Sequence, residues 1–378
     1  VPPTMNLALV AASLDCGGIE RVVQLLARGL HERGHRVTVI TTTDRPDFFT
    51  LPAGVRRVRI DLVRTGGGGP AGPLAAGLKA GRGILRLPAL RAAISASRAD
   101  GVISFADQVN VVTLVATAGL AVPVVVTEHS IAELERLGRG WRALRRLVYR
   151  RAALLVCPSR GIAGRFRWLP APRRVVIPNP VLPPPAMSPP PLGLEPGTYV
   201  AAMGRLTRSK GFDLLIRAFA SLPPEAGRLV ILGEGPERRA LEHLAEELGV
   251  RRRLVLAGRV ADPVPALRHA LLFVHPARWE SFGNAIVEAM ACGVPVVAAH
   301  CPHGPGEIVT HGSDGLLVPP EDVDALAAAI RRLTEDVATR RRMAAAAVRK
   351  ARRFQLEAVL DRWEAEALSR LGRRAGRA

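Results

Sequence analysis

Aromatic side chains are scarce: nine Phe, four Trp and two Tyr make up 4% of 378 residues. So few rings offer no stacking platform for single-stranded nucleic acid. Cysteine is scarcer still. Cys16, Cys157, Cys292 and Cys301 lie far apart, the last pair excepted, and give neither a disulfide framework nor a zinc spacing; a reducing compartment fits them. Long apolar runs are missing too. The longest uncharged stretch free of a proline run, 109–127, is interrupted by Gly119 and Pro123 and dotted with Asn110, Thr113 and Thr117. It reads as a buried helix and a strand, not a membrane span. Residues 1–6 are uncharged and lead straight into a strand-like run from Leu7, so no secretory leader is expected.

Arginine is in excess. The net charge is +20, and it is unevenly spread: residues 1–180 hold 26 basic and 11 acidic side chains, residues 181–378 hold 27 and 22. A basic first half suits an anionic membrane surface or an anionic acceptor. Nucleic acid is the weaker partner, because no nucleic-acid module is visible. Two segments concentrate the charge. Residues 78–94 carry Lys79, Arg82, Arg86 and Arg91 among leucines, after a glycine loop at 66–69. Residues 133–151 carry seven arginines, with Trp141, Leu144 and Val148 at helical spacing. Such a helix is either a solvated amphipathic one or one that lies on anionic lipid.

The length asks for two domains, and 48% hydrophobic residues can fill their cores. Strand-like and helical runs alternate as far as residue 177, then Pro183–Pro185 and Pro189–Pro191 mark a stiff linker. The rhythm resumes at Tyr199. The expected fold class is α/β, with two doubly wound Rossmann-like domains facing a cleft. Their expected limits are 1–180 and 197–353, with linker 181–196 between them and a C-terminal helix 354–378 packing back on the first domain.

Three stretches carry chemistry. The central one is Arg278-Trp279-Glu280-Ser281-Phe282-Gly283-Asn284-Ala285-Ile286-Val287-Glu288, after the strand-like run 271–276. A strand, a glycine loop and a helix start present free N–H groups and a positive dipole end to an anion. If the helix begins near Asn284, Glu288 lies about 6 Å up its axis, the span from a diphosphate to its ribose. A carboxylate there can accept from two vicinal hydroxyls; a solvated helix glutamate is the bland alternative. The second stretch, 204–211, sets Arg205 and Lys210 on a glycine-bounded loop that can neutralise a leaving diphosphate. It is not a Walker loop. The third, Gly17-Gly18-Ile19-Glu20-Arg21, opens a helix after the first strand; it lacks the third glycine of a dinucleotide fingerprint, and a bare turn would look the same. His129 ends a strand beside Glu128. Asp322-Val323-Asp324 resembles a metal-binding carboxylate pair, but its place after two prolines at a helix start favours capping.

Taken in this order, Gly-Gly-Ile-Glu-Arg-Val-Val, Thr-Glu-His, Val-Ile-Pro-Asn, Gly-Arg-Leu-x3-Lys-Gly and Glu280-x7-Glu288 with its Glu-Ala-Met-Ala-Cys-Gly-Val-Pro-Val-Val tail resemble the retaining family 4 glycosyltransferases of GT-B fold. Ile103-Ser104-Phe105, Asn110 and 301–308 are similar to members that extend polyprenyl-diphosphate-linked glycans with a hexose or N-acetylhexosamine. Pro180 and Gly306 depart from the pattern, where glycine and a basic or polar residue are commoner.

The resemblance implies a nucleotide-sugar donor, UDP-linked, and a lipid-linked glycan acceptor in cell-surface polysaccharide or glycoconjugate assembly, at the inner face of the cell membrane. Glu280, His129, Arg205 and Lys210 would be catalytic. Gly17, Gly18, Arg259, Val260, Phe282, Gly283, Asn284 and Glu288 would bind donor; Ser104 and Asn110 would bind acceptor. No metal or other cofactor is implied. A GDP-mannose or soluble-acceptor transferase, a non-catalytic nucleotide-sugar-binding protein and a sugar-nucleotide epimerase are the rivals.

Overall fold

A computed structural model of the protein describes residues 4–43, 45–63, 87–129, 138–185 and 193–371. The glycine loop at 66–69, residues 78–86, 133–137 and 186–192, and 372–378 lie outside the described residues. The chain divides into two units, Val1–Pro180 with Leu356–Ala378, and Val181–Gln355. The second unit thus begins at Val181, the first residue of the expected linker, and includes that segment.

The first unit is built on β1 (Asn6–Ala11), β2 (Arg36–Thr43), β3 (Arg56–Val63), β4 (Gly101–Phe105), β5 (Val124–Thr127), β6 (Leu154–Cys157) and β7 (Arg174–Val176). They form one parallel sheet in the order β3-β2-β1-β4-β5-β6-β7. Leu7, Ala8, Leu9, Val10 and Ala11 are all buried, as expected of a parallel sheet covered on both faces. Helix α1 (Gly18–Glu32) buries Val22, Val23, Leu25, Leu26 and Leu30 and turns Arg28 and Glu32 outward as an i,i+4 pair. Helices α2 (Asp107–Ala116) and α3 (Arg139–Tyr149) follow β4 and β5.

The second unit repeats the plan with β8 (Tyr199–Met203), β9 (Arg228–Leu232), β10 (Leu254–Gly258), β11 (Leu272–His275), β12 (Val296–Ala299) and β13 (Gly315–Val318). Their order is β10-β9-β8-β11-β12-β13, again parallel. Its helices include α4 (Phe212–Ala220), α5 (Asn284–Ala291), α6 (Val323–Glu335) and α7 (Val337–Ala351). Asp322 caps α6, its Oδ1 accepting from Ala325 N at 2.8 Å.

The C-terminal helix expected over 354–378 starts only at Leu356. Gln355 is extended and bridges Val181 within the second unit, and helix α8 (Leu356–Arg362) then joins the first. There it lies on α1, where Gly29 leaves room for Leu360 and Leu356. Leu356, Val359, Leu360, Trp363, Leu368 and Leu371 are buried, at roughly 1.5–3 kcal/mol each. Arg33 adds ion pairs to Glu357, Asp361 and the half-buried Glu364; the two with exposed partners are worth about 0–1 kcal/mol each, so the apolar contact dominates.

Candidate active site

Strand order in the second unit reverses between β8 and β11, the place where open α/β sheets hold ligands beyond their strand ends. After β8, Gly204 and Gly211 bracket the loop with Arg205 and Lys210. Gly211 has φ +68°, and a Cβ there would come 2.1 Å from Pro276 O, so only glycine lets this loop touch the end of β11. Arg278 ties the same two segments again: its N–H donates to Ser209 O at 2.9 Å and its Nη1 to Arg208 O at 2.8 Å.

That seam brings Lys210 onto Glu280. The Glu280 carboxylate is 15% exposed; Oε2 receives Lys210 Nζ and His275 Nε2, the latter at 3.1 Å, and Oε1 accepts Ser281 N at 3.1 Å. Burial pushes its carboxyl up, but the Lys210 charge and the His275 hydrogen bond outweigh this and hold it far below the usual carboxylate range. Glu280 is therefore a fixed anion, not a proton donor. Arg205, by contrast, is exposed, and its guanidinium has no partner among the described residues. It is a cation free to meet a ligand.

Phe282, Gly283 and Asn284 lead into α5. The Phe282 ring is buried edge-on against Phe354 at 5.7 Å, so only its backbone is open to a ligand. Gly283, at φ +111°, starts the helix without a side-chain cap, and Glu288 is half-buried in its second turn. The loop after β12 closes round Glu280: His303 takes φ +76° and bridges Glu280, and a Cβ on Gly304 would lie 1.9 Å from Phe282 O. Burial and the Glu280 charge push the Cys301 thiol up to about 12, which leaves it inert. Gly306 lies against the His300 ring, 2.5 Å from a built Cβ. Arg259 is exposed and Val260 half-buried after β10, two strands from the reversal.

In the first unit the reversal falls between β1 and β4. Gly17 and Gly18 follow β1, but the space beside Gly17 is taken from within the chain. A Cβ there would be 2.2 Å from Glu20 Oε2, and Glu20 Oε1 accepts from Ser13 Oγ at 3.3 Å. Ser104 and Asn110 correct the sequence reading. Both are fully buried, with Ser104 Oγ donating to Asn110 Oδ1 at 2.7 Å and Asn110 Nδ2 reaching Thr127 O at 2.8 Å and Tyr149 Oη at 3.1 Å. Every polar side-chain atom they own faces protein, so they brace the site and do not touch acceptor.

His129 follows β5 and stacks on Phe105 at 6.0 Å. Burial pulls its imidazole down to about 4, so it is neutral at pH 7. Thr127 Oγ1 spends its proton on Ser104 O at 2.9 Å, so His129 Nε2, 3.1 Å away, must donate to it. His129 Nδ1 is thereby left a lone-pair acceptor with no partner among the described residues. It can accept a hydrogen bond from a hydroxyl.

The family model described as Glycosyltransferase Family 4 matches residues 16–183, and the one described as Glycosyl transferases group 1 matches 190–350. The chain belongs to the family 4 glycosyltransferases. A Campylobacter jejuni enzyme named for adding α-1,4-N-acetyl-D-galactosamine to a diphospho-undecaprenol-linked glycan is 25% identical over 95% of this chain and 97% of its own. A Streptomyces coelicolor exopolysaccharide phosphotransferase is 37% identical over 51% of this chain and 20% of its own. The chain spans less than half the length of several curated relatives it matches. Anabaena Alr3699/HepE, solved with UDP and glucose, superposes with a TM-score of 0.78 at 24% identity, over 97% of this chain and 99% of that one. The fold is GT-B.

For a glycosyltransferase of this family, the sequence reading missed two things. It did not single out His275, because a histidine closing an apolar strand has no periodic signal. Nor did it see that Glu128 is wholly buried, accepts from Tyr149 Oη, and is pushed up to about 8 by burial and the nearby Asp107 charge.

Proposed function

We propose that the protein is a retaining glycosyltransferase that moves a hexose or N-acetylhexosamine from a UDP-sugar to a polyprenyl-diphosphate-linked glycan. The observation that carries this reading is the Lys210–Glu280 pair at the sheet reversal, on the loop that also carries Arg205, whose guanidinium has no partner among the described residues. A donor diphosphate seats on that loop, where Arg205, Lys210 and the start of α5 neutralise the charge that develops on leaving. Glu280, fixed as an anion, accepts sugar hydroxyls and stabilises positive charge at the anomeric carbon. Glu288 takes the ribose hydroxyls, and Arg259 and Val260 line the base. Within the first unit, His129 Nδ1, with no partner among the described residues, is an acceptor for a sugar hydroxyl.

In the transfer step the acceptor oxygen bonds to the anomeric carbon as the bond to the diphosphate oxygen breaks. The acceptor proton passes to that departing oxygen, so attack comes from the leaving group's face and the anomeric configuration is retained. Arg205, Lys210 and the start of α5 supply countercharge in this step, and the reading invokes no metal. The Campylobacter relative, named for a diphospho-undecaprenol-linked substrate, supports a diphospholipid-linked acceptor, and HepE, solved with UDP, supports a UDP-sugar donor.

Helix α3 supports work at a lipid surface. It turns Arg145 inward, 3.2 Å from Asp107, and exposes Leu144 and Leu147, the latter 63%, among Arg142, Arg146 and Arg150. No described helix is long and apolar enough to cross a membrane.

The test is a panel of UDP-, GDP- and ADP-sugars offered with polyprenyl-diphosphate acceptors, reading nucleoside diphosphate release and product anomer. Acceptor-dependent UDP release with a retained anomer is expected. Donor isomerised without acceptor would make the protein an epimerase, and UDP binding with no turnover a non-catalytic binder.

A further inference from the structure

His275 closes β11, paired in register with Ala298 of β12, and is 3% exposed. The three residues before it, Leu272, Phe273 and Val274, are wholly buried and apolar. An imidazole at that depth costs desolvation that an apolar side chain would not. Among the described residues, what it gains is a polar contact to Glu280: Nε2 lies 3.1 Å from Oε2, the same oxygen that receives Lys210 Nζ.

We propose that His275 is a positioning residue for Glu280, an Nε2–H donor that keeps the carboxylate aimed once Lys210 has turned to the donor's diphosphate. The inference rests on the transferase reading above. Glu280 carries no proton to give, so the hydrogen in this contact must sit on His275 Nε2. Three ionisable groups meet here, with the Cys301 thiol as a fourth beside them. Glu280 would favour a charged imidazole, but burial and the Lys210 ammonium at the same oxygen oppose it, and the imidazole is pulled below its ordinary value. The Cys301 thiol is held protonated and adds no charge. Lys210 is thus the cation of the trio, and His275 a neutral donor.

The trio matters because Lys210 has two anions to serve. A diphosphate carries more charge than one carboxylate and draws the ammonium away from Glu280. Glu280 then keeps two hydrogen bonds, from Ser281 N to Oε1 and from His275 Nε2 to Oε2. Without His275, Oε2 is left buried and unpartnered, and the carboxylate is free to follow Lys210 toward the phosphate. Small displacements of a group at the reacting centre cost rate far more than they cost binding.

The experiment compares His275→Ala and His275→Gln in the full chain, measuring kcat, donor KM, UDP affinity and melting temperature. In His275→Ala, kcat falls about tenfold or more while donor KM and UDP affinity stay within about twofold. His275→Gln, whose amide donates from a similar reach, recovers most of the loss. A lower melting temperature with unchanged kcat per folded molecule would leave His275 a core residue only and overturn the proposal.

A second readout does not depend on turnover. Imidazole nitrogen NMR should show His275 as the Nε2–H tautomer, with a signal displaced in Glu280→Ala. An Nδ1–H tautomer, or a signal indifferent to Glu280→Ala, overturns the inference even if the protein is a transferase. A wild type that releases nucleoside diphosphate from no donor defeats the transferase reading instead, and the spectra still judge the contact.

Discussion

Arg278 grips Asp213 with both arms of its guanidinium, Nη1 to Oδ1 at 2.8 Å and Nη2 to Oδ2 at 2.7 Å. The pair spans the two segments that form the donor-side site, since Arg278 stands two residues before Glu280 and Asp213 three after Lys210. Lysine cannot make a fork of two parallel bonds, so Arg278→Lys keeps the charge and loses the clamp. Breaking a fully buried pair costs roughly 3–5 kcal/mol; Asp213 is 37% exposed, so about 2 kcal/mol is expected for Arg278→Ala. Urea unfolding should show that loss. Turnover should fall about tenfold in Arg278→Lys, because the Lys210–Glu280 separation is no longer fixed.

Lys210 and Glu280 should separate in binding although both variants lose activity. Lys210→Ala removes a diphosphate cation and weakens UDP binding. Glu280→Gln removes the carboxylate that competes for Lys210, so UDP binding holds or tightens while transfer falls about a hundredfold or more. Titration calorimetry with UDP, set beside turnover of each variant, checks this. Equal weakening in both would mean Glu280 is part of the phosphate seat.

Much of this arrangement was legible because its residues stand in short, ordered stretches. Strand, glycine loop and helix start are local signals, and they placed Arg205, Lys210 and Glu280 at strand ends beside the sheet reversal, with Glu288 on the helix that follows. Some elements escaped. β13, Gly-Leu-Leu-Val just before Pro319-Pro320, lacks the β-branched pair that marks the equally short β12. Helix α7 buries only Thr339, Met343, Ala347 and Ala351, a thin stripe of small residues without the broad apolar face that announces a helix. The roles of Ser104 and Asn110 escaped for a different reason. A buried polar residue and a ligand-binding one look alike in sequence, and only the hydrogen-bond partners part them. Helical spacing alone left open which way Leu144 faces; it is 39% exposed, while Arg145 beside it is buried on Asp107.

Gly211 should tolerate no side chain. Its φ of +68° costs an alanine about 1 kcal/mol, and the Cβ would meet Pro276 O at 2.1 Å, against backbone that cannot swing aside. Gly211→Ala should lose more than about 2 kcal/mol of stability, seen as a lower urea midpoint. Gly249, also at positive φ (+70°) but with open space round its Cβ position, is the control and should lose only about 1 kcal/mol as alanine.

Lipid docking through α3 predicts a charge and an apolar component. Leu144→Ser with Leu147→Ser should weaken binding to vesicles of phosphatidylglycerol at every salt concentration. Arg142→Gln with Arg146→Gln should weaken it chiefly at low salt, by about 1 kcal/mol per cation removed. Sedimentation with anionic and neutral vesicles reads both. Wild-type protein that ignores anionic vesicles at low salt rejects the docking face.

Glu128 gives a pH dependence with a definite sign. Its folded carboxyl is pushed up to about 8 from the ordinary 4.5, because burial and the Asp107 charge outweigh the Tyr149, Arg145 and Asn110 contacts. Between those two values the folded chain holds a proton that the unfolded chain has released. Stability is therefore lost as pH rises through this window, by at most about 1.4 kcal/mol per unit, and is flat above it. His129 works the other way, since its depressed imidazole makes stability rise with pH from about 4 to the ordinary 6.5. Glu128→Gln removes the first effect and keeps the second. The difference in unfolding free energy between variant and wild type isolates Glu128, and it should grow in the variant's favour from pH 5 to pH 8. Urea midpoints at each unit of pH measure it; a difference that does not change with pH would mean Glu128 is ionised in the fold.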